Sequence, residues 1–384
     1  MNSRVDDFLF LGECLSLDCS EVSIKDLQRK IVDPALDWGP VIAMASERLL
    51  VPALWAALLK KGLSRYLDDE LKFYLSGFYD LNRQRNLLIK EQVEQIVEAF
   101  KSSGIQPILL KGAALLFMDD PAALGYRMMS DIDILADAPD VQASLDILLS
   151  LGYGVQDPVL AKRIDPVSQH LPTMSREGSP AAVELHTELF PLYDGTEILT
   201  ASSCFQNSVQ LRSGSFSFKV LSHEDFLIHN IVHSEISHSN FSLGNISLKS
   251  LIDFAVISNL YSDTISWSHI EQRMSGHGLR RVYHSYVHKA RKLISAPVPP
   301  GFQAGVMEES DLKLCLSTIR FEWFKTILSK WTWIKRAPVI VSKNLSSEIM
   351  TKRFGCSHNF ADLNKTRLNY LWFLFGKHAL KTKR

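Results

Sequence analysis

The sequence predicts an α+β protein, a small mixed sheet flanked by helical regions on both sides. Two observations predict it. Apolar residues recur at three- and four-residue spacing as far as about Phe100 and again from Ser222, the period of helices with one buried face. Between those stretches, short apolar or β-branched runs alternate with helical segments and turn residues, the texture of a sheet with helices packed on it. With 384 residues the chain exceeds one ordinary core. It divides into a helical N-terminal region (1–100), an α/β core (101–221), a second helical domain (222–300) and a helical, basic C-terminal region (301–384).

Taken in order, "MNSRVDDFLFLGECLSLDCS" places two acids before its apolar run. It has neither the basic start nor the small-residue cleavage site of a secretory signal. "DWGPVIAMASERLLVPALWAALLKKGL" reads as helical, with Gly62 as its stop. The stretch "ELKFYLSGFYDLNRQRNLLIKEQVEQIVEAFKSSG" continues in that style and ends at Ser102-Ser103-Gly104.

The texture then changes. "IQPILL" is a short strand, followed by Lys111-Gly112 and a helical "AALLFM". After a loop holding Pro121 and Gly125 comes "DIDILA", a strand by length and β-branching. "PDVQASLDILLSLGY" is a helix with Pro139 near its first turn and Gly152 just past its end. "AAVELHTEL" is another strand, and "SVQLRSGSFSFKVL" is a hairpin turning at Ser213-Gly214. Helices resume at "SHED", with Ser222 as N-cap and Asp225 at the third helical position. "FLIHNIVHSEISH" and "LKSLIDFAVISNL" follow, and the Pro/Gly-rich "SAPVPPGFQAG" is the best internal boundary.

Composition excludes several classes. Hydrophobic residues make up 46% and charged residues 22%, as in soluble globular proteins. Lys plus Arg and Asp plus Glu balance at 42 each, so net charge does not indicate a nucleic-acid coat. The longest apolar runs, such as "YLWFLF" at Tyr370 to Phe375, fall far short of the ~20 residues that span a bilayer. Five scattered cysteines without a C-x-x-C pair suggest neither a zinc site nor a disulfide framework. The expectation is a reduced, cytoplasmic protein.

The chemistry concentrates in "RMMSDIDIL". On a strand, Asp131 and Asp133 project to one face and Ile132 and Ile134 to the other. Like charges that close raise each other's pKa unless something positive joins them. Lys111-Gly112, between a strand and a helix, is a candidate phosphate seat, because glycine admits close approach and a helix start offers unpaired N–H groups. Glu184 supplies a third strand carboxylate, with His186 on the same face two residues on. Each feature has a plainer reading: a solvated edge, a turn glycine, a salt-bridge partner. Their order and spacing carry the inference. Carboxylates beside a phosphate seat suit Mg²⁺ or Mn²⁺, and two such ions ~4 Å apart can serve an in-line phosphoryl displacement.

"LLKGAAL", "LGYRMMSDIDILA", "VELHTEL" and "VLSHEDFLIHNIVH" together resemble the uncharacterised nucleotidyltransferase family of the DNA-polymerase-β-like superfamily. The resemblance covers roughly Leu36 to Leu260 and leaves the last third unmatched. It implies transfer of a nucleoside monophosphate from an NTP to the hydroxyl of an unknown acceptor, a small molecule, sugar or peptide, with residues 222–300 building the acceptor side. By the same resemblance Asp131 and Asp133 are the paired metal ligands, and Glu184 is the third carboxylate that orients metal and acts as base. Gly112 is the point where triphosphate meets the helix start. Much of the superfamily has Gly-Ser there; this chain has Lys111-Gly112-Ala113, without the hydroxyl. Arg127 either meets phosphate or pairs with Asp131. His186 either positions Glu184 or the acceptor, or packs under the sheet. The rival readings are a non-catalytic nucleotide-binding or scaffold protein and a toxin-like RNA nucleotidyltransferase.

Other signals rank lower. His229 and His233 stand at i and i+4 but lack an H-E-x-x-H glutamate, which favours core or pocket roles over zinc. Asp253 reads as a cap or ion-pair partner within the helical bundle. The aromatic and basic tail "RLNYLWFLFGKHALKTKR" suits packing on the body better than contact with an anionic membrane or a polyanion. The tryptophans of "FEWFKTILSKWTWIK" read as core or partner-facing.

Overall fold

A computed structural model describes residues 3–118, 123–155, 168–191, 197–321, 323 and 326–328. The chain opens with helices α1 (Arg4–Leu15), α2 (Glu21–Ile31), α3 (Trp38–Glu47), α4 (Val51–Lys60) and α5 (Asp69–Ser102). Side-chain oxygens of Ser3, Ser20, Asp37 and Asp68 accept from backbone N–H groups in the first turns of α1, α2, α3 and α5, satisfying donors that have no intrahelical partner. The helical run from Trp38 to Gly62 is two helices, broken at Leu49 in the left-handed region (φ 57°). Pro52, in the first turn of α4, is the local signal of that break.

Among the described residues seven strands form one sheet: β1 (Ile108–Leu109), β2 (Asp131–Leu135), β3 (Gly154–Val155), β4 (Met174–Ser175), β5 (Ala182–His186), β6 (Val209–Ser213) and β7 (Phe216–Val220). Their order is β3-β4-β5-β2-β1-β7-β6. β2–β5 and β1–β7 pair in parallel, and β1–β2, β3–β4, β4–β5 and β6–β7 are antiparallel, so the sheet is mixed as expected. Between strands stand the short helices α6 (Lys111–Leu115) and α7 (Ala123–Tyr126), then α8 (Val141–Ser150) and α9 (Ala201–Asn207).

The 34-residue α5, about 50 Å long, runs along the sheet. Its Gln92 donates to Tyr153 Oη and to the Ala181 carbonyl, and its Lys101 reaches Ser217 on β7. Ile132 and Ile134 are fully buried, which leaves the aspartates of β2 on the opposite face. That face is covered by α10 (His223–Val232), a π-helical turn (His233–Ser237), α11 (Asn240–Leu243) and α12 (Leu248–Leu260). Ser222 caps α10, accepting from the Asp225 N–H at 3.2 Å. Helices α13 (Trp267–Gly276), α14 (Arg280–Ile294) and α15 (Val306–Arg320) follow.

Gly12 of α1 packs against the Leu293 backbone, where a Cβ would meet the carbonyl oxygen at 2.9 Å. One apolar core from Phe8 to Ile319 therefore links the early and late helices. Among the described residues no helix is long and apolar enough to cross a membrane. The loop at Pro121 and the basic tail, with Tyr370 to Phe375, lie outside the described residues, as does most of the tryptophan-rich run.

Candidate active site

Register assembles the site. In the parallel β2–β5 pair Asp133 stands opposite Glu184, and Leu135 opposite His186. Residues facing each other in register share a side of the sheet, so Asp133, Glu184 and His186 come together. One donor atom from each lies within 4.8 Å of the others.

Asp133 is 3% exposed. Its Oδ1 accepts Lys111 Nζ at 2.7 Å and His186 Nε2 at 2.8 Å. Burial alone would raise its pKa; the His186 hydrogen bond and the Lys111 ammonium outweigh it and hold the carboxyl well below the usual range. Lys111 reaches Asp133 from a left-handed backbone (φ 47°) at the junction of β1 and α6, a conformation an ordinary residue adopts only under tertiary constraint. Glu184 accepts Thr173 Oγ1 at 3.0 Å, and its other oxygen lies 3.8 Å from His170 Nε2. The Nδ1–H of His170 donates to the Leu171 carbonyl at 2.7 Å, which turns Nε2 toward that carboxylate.

Asp131 and Asp133 line a cavity of about 250 Å³, together with Lys111, His229, His233, Lys249 and Asp253. Among the described residues the Asp131 side chain makes no hydrogen bond or salt bridge, and the charges of Arg85 and Lys249 act on it through space. Asp133, Glu184 and His186 offer two carboxylates and an imidazole within reach of one ion, and carboxylate oxygens suit hard ions such as Mg²⁺ or Mn²⁺. His186 Nε2 is held by the Asp133 carboxylate and its Nδ1 is buried without a partner, and a ligating imidazole has one nitrogen held in this way.

Arg127 pairs with Asp253 and not with Asp131, the carboxylate partner expected from sequence. Its Nε and Nη2 donate to both oxygens of Asp253 at 2.9–3.1 Å. Burial alone would lower the arginine's pKa, and the Asp253 charge raises it above the ordinary value. The guanidinium crosses over Gly112, where a Cβ would collide with it and stand 2.9 Å from Met129 Sδ. Room for Arg127 is thus a structural reason for that glycine, beside the expected phosphate seat. Asp253, expected to act within the bundle, instead joins α12 to the loop before β2.

On the helical wall, the rings of His229 and His233 lie 5.6 Å apart, and His233 and His238 meet edge-on at 4.4 Å. Burial, then the nearby Lys111 charge, lowers His229 to about 3 and His233 well below its ordinary value. Lys249 donates to the Met128 carbonyl at 2.8 Å; burial, then Arg127, lowers its pKa.

Sequence reasoning missed Lys249 and His170, and also three residues of α5. Asn82 and Asn86 donate to the Arg127 carbonyl at 3.2 and 2.8 Å. Arg85 donates to the carbonyls of Met129 and, at 2.7 Å, Pro180. The polar stripe at i, i+3 and i+4 in "DLNRQRN" was the available signal.

Residues 34–295, more than half of the chain, match the model of a family described as an uncharacterised nucleotidyltransferase. No curated protein and no solved structure matches the chain.

Proposed function

The chain belongs to the uncharacterised nucleotidyltransferase family, and from that premise we propose that it moves a nucleoside monophosphate from an NTP to an acceptor hydroxyl. The carrying observation is the register of Asp133 against Glu184 on adjacent parallel strands. It sets two carboxylates and Lys111 around one point.

In this reading Asp131, Asp133 and Glu184 hold Mg²⁺ or Mn²⁺. Such an ion, when bound, neutralises phosphoryl oxygens and aligns attacking and leaving groups. The acceptor oxygen bonds to the α-phosphorus as the bond to the β-phosphate oxygen breaks, and pyrophosphate leaves. Glu184, held by Thr173, takes the acceptor's proton. His186 keeps Asp133 oriented and ionised. Lys111, already at the carboxylate end of the cavity, meets the phosphates near Gly112. Positioning and charge do most of the work in phosphoryl transfer. The helical wall of His229 and His233 is the acceptor side. A cytoplasmic setting belongs to this reading, supported by the free thiols of Cys14, Cys19, Cys204 and Cys315.

Calorimetry with ATP, GTP, CTP and UTP, each with and without Mg²⁺ or Mn²⁺, tests it. At least one triphosphate should bind in a metal-dependent way, and Asp133→Asn should lose tenfold or more with its circular dichroism unchanged. Failure to bind any of the four, or equal binding by the variant, would favour the non-catalytic scaffold reading.

A further inference from the structure

A second cavity adjoins the one that holds the carboxylates. It measures about 680 Å³ and is bounded by the first turn of α1, the end of α3, residues between 238 and 249, and the end of α15. His238, Ser247 and Lys249 line both cavities. The carboxylate cavity, at about 250 Å³, is smaller than the ~300–1,000 Å³ of most small-molecule sites; the second falls within that range. Their charges also differ. In the first, Asp131, Asp133 and Asp253 balance Lys111, Arg127 and Lys249. Among the described residues of the second, Arg4, Arg48 and Lys249 face a single acid, Glu47.

We propose that this second cavity seats the acceptor, and that the acceptor carries an anionic group, a phosphate ester or a carboxylate, besides the hydroxyl that receives the nucleotide. This rests on the transfer reading above and names its substrate class. The contact of Glu47 with Arg48 is long, 3.4 Å, and is shared with Arg4 at 3.2 Å. The Arg48 guanidinium lies over the Phe8 ring at 5.5 Å, which braces its planar fork for an oxyanion. Lys249 spends one of its three N–H donors on the Met128 carbonyl. Among the described residues no carboxylate forms an ion pair with it, and Asp253, Asp131 and Asp133 act on it only through space. A surplus of cations in a concave wall draws anions. Glu47 is the sole carboxylate among the described lining residues, so the anion it suits comes without a metal; a metal-bound triphosphate belongs with Asp131 and Asp133. Backbone strain marks the same place. Among the described residues four non-glycine residues have positive φ. Leu49 (φ 57°) follows Arg48, Ser239 (φ 60°) follows His238, and Lys111 (φ 47°) belongs to the carboxylate cavity. Such residues persist only where their surroundings hold them, and they gather at ligand sites.

Calorimetry on the full chain at low ionic strength, without nucleotide or metal, tests this. Ribose 5-phosphate and gluconate probe the phosphate and the carboxylate; ribose is the uncharged control. At least one of the two anions should bind, ribose should not, and affinity should fall as salt rises. Arg48 lines the second cavity and not the first. Arg48→Gln should therefore weaken the anion at least about tenfold with circular dichroism unchanged, and Arg48→Lys, which keeps the charge, should recover part of the loss. Arg4→Gln, a half-exposed change at the start of α1, should weaken it too, and decides the matter if Arg48→Gln disturbs the fold. Arg48→Gln should keep Mg²⁺-dependent triphosphate binding within about twofold. Binding of neither anion, or anion binding that Arg48→Gln leaves unchanged, would overturn the proposal. So would a loss of triphosphate binding in Arg48→Gln as large as its loss of the anion, which would give the cavity to the donor. The anion titrations contain no nucleotide, so the two readings fail separately: Arg48-dependent anion binding in a protein that takes up no triphosphate would sink the transfer reading and leave the anion site standing.

Discussion

Arg127 and Asp253, 126 positions apart in sequence, form a two-pronged ion pair with three N···O distances of 2.9–3.1 Å. The pair joins the loop entering β2 to α12, and so ties the carboxylate strand to the helical wall of the cavity. Asp253→Asn leaves a buried guanidinium without its counter-charge, a loss of about 3–5 kcal/mol. The Arg127→Met/Asp253→Leu double variant should lose clearly less than the two single changes added together. Urea unfolding of the four proteins measures this; strictly additive losses would mean that the two side chains do not act as a pair.

Gly112 depends on the same arginine. A methyl group at Gly112 meets the guanidinium and stands 2.9 Å from Met129 Sδ. Gly112→Ala is therefore overpacked and should cost about 1–3 kcal/mol. A thermal midpoint unchanged by Gly112→Ala would mean that Arg127 can leave without cost.

Period-two and period-3.6 patterns made β1, β2, β5, the β6–β7 hairpin and the Ser222 cap legible, because each is decided by residues within a few positions. Asp131, Asp133 and Glu184 were legible as carboxylates on strands. Its internal wiring was not. That Lys111 and His186 share one oxygen of Asp133 depends on which strands lie side by side, and no local pattern states that. Arg127 had a carboxylate four residues away in Asp131, yet pairs across 126 positions, since tertiary packing decides which carboxylate it reaches. Strands β3 and β4 at one end of the sheet, two residues each, are too short to leave a periodic signature.

Acid should weaken the fold through His229. Burial, then Lys111, holds it at about 3 against an ordinary 6.5, so between those values the unfolded chain takes a proton that the folded one excludes. Stability then falls as pH falls. From pH 6.5, where the unfolded histidine is half protonated, to 4.5 the contribution is about 2 kcal/mol at 1.36 kcal/mol per pH unit. Asp133 does not act in that window. Its depressed pKa stabilises the fold above its ordinary value of ~3.9, and that contribution fades only at lower pH. Wild type should accordingly lose about 2 kcal/mol more than His229→Gln over this range, read from urea midpoints at each pH. Parallel pH profiles for the two proteins would refute a neutral, buried His229.

Beneath the cavity wall, Lys289 and Glu235 are 1% and 2% exposed and meet at 2.5 Å. Glu235 lies in the π-helical turn that carries His233 and precedes His238, and Ser234 Oγ donates to its other oxygen at 3.2 Å. A buried charge whose partner is removed costs about 3–5 kcal/mol, whereas replacing both members with apolar groups is often neutral or stabilising. Lys289→Met alone should therefore destabilise strongly, and Lys289→Met/Glu235→Leu should recover most of that loss. If the pair also sets the turn's geometry, the double variant will be stable yet bind triphosphate more weakly than wild type, because the edge-on contact of His233 and His238 depends on that turn. Calorimetry on the stable double variant separates the two roles: wild-type affinity would make the pair purely structural.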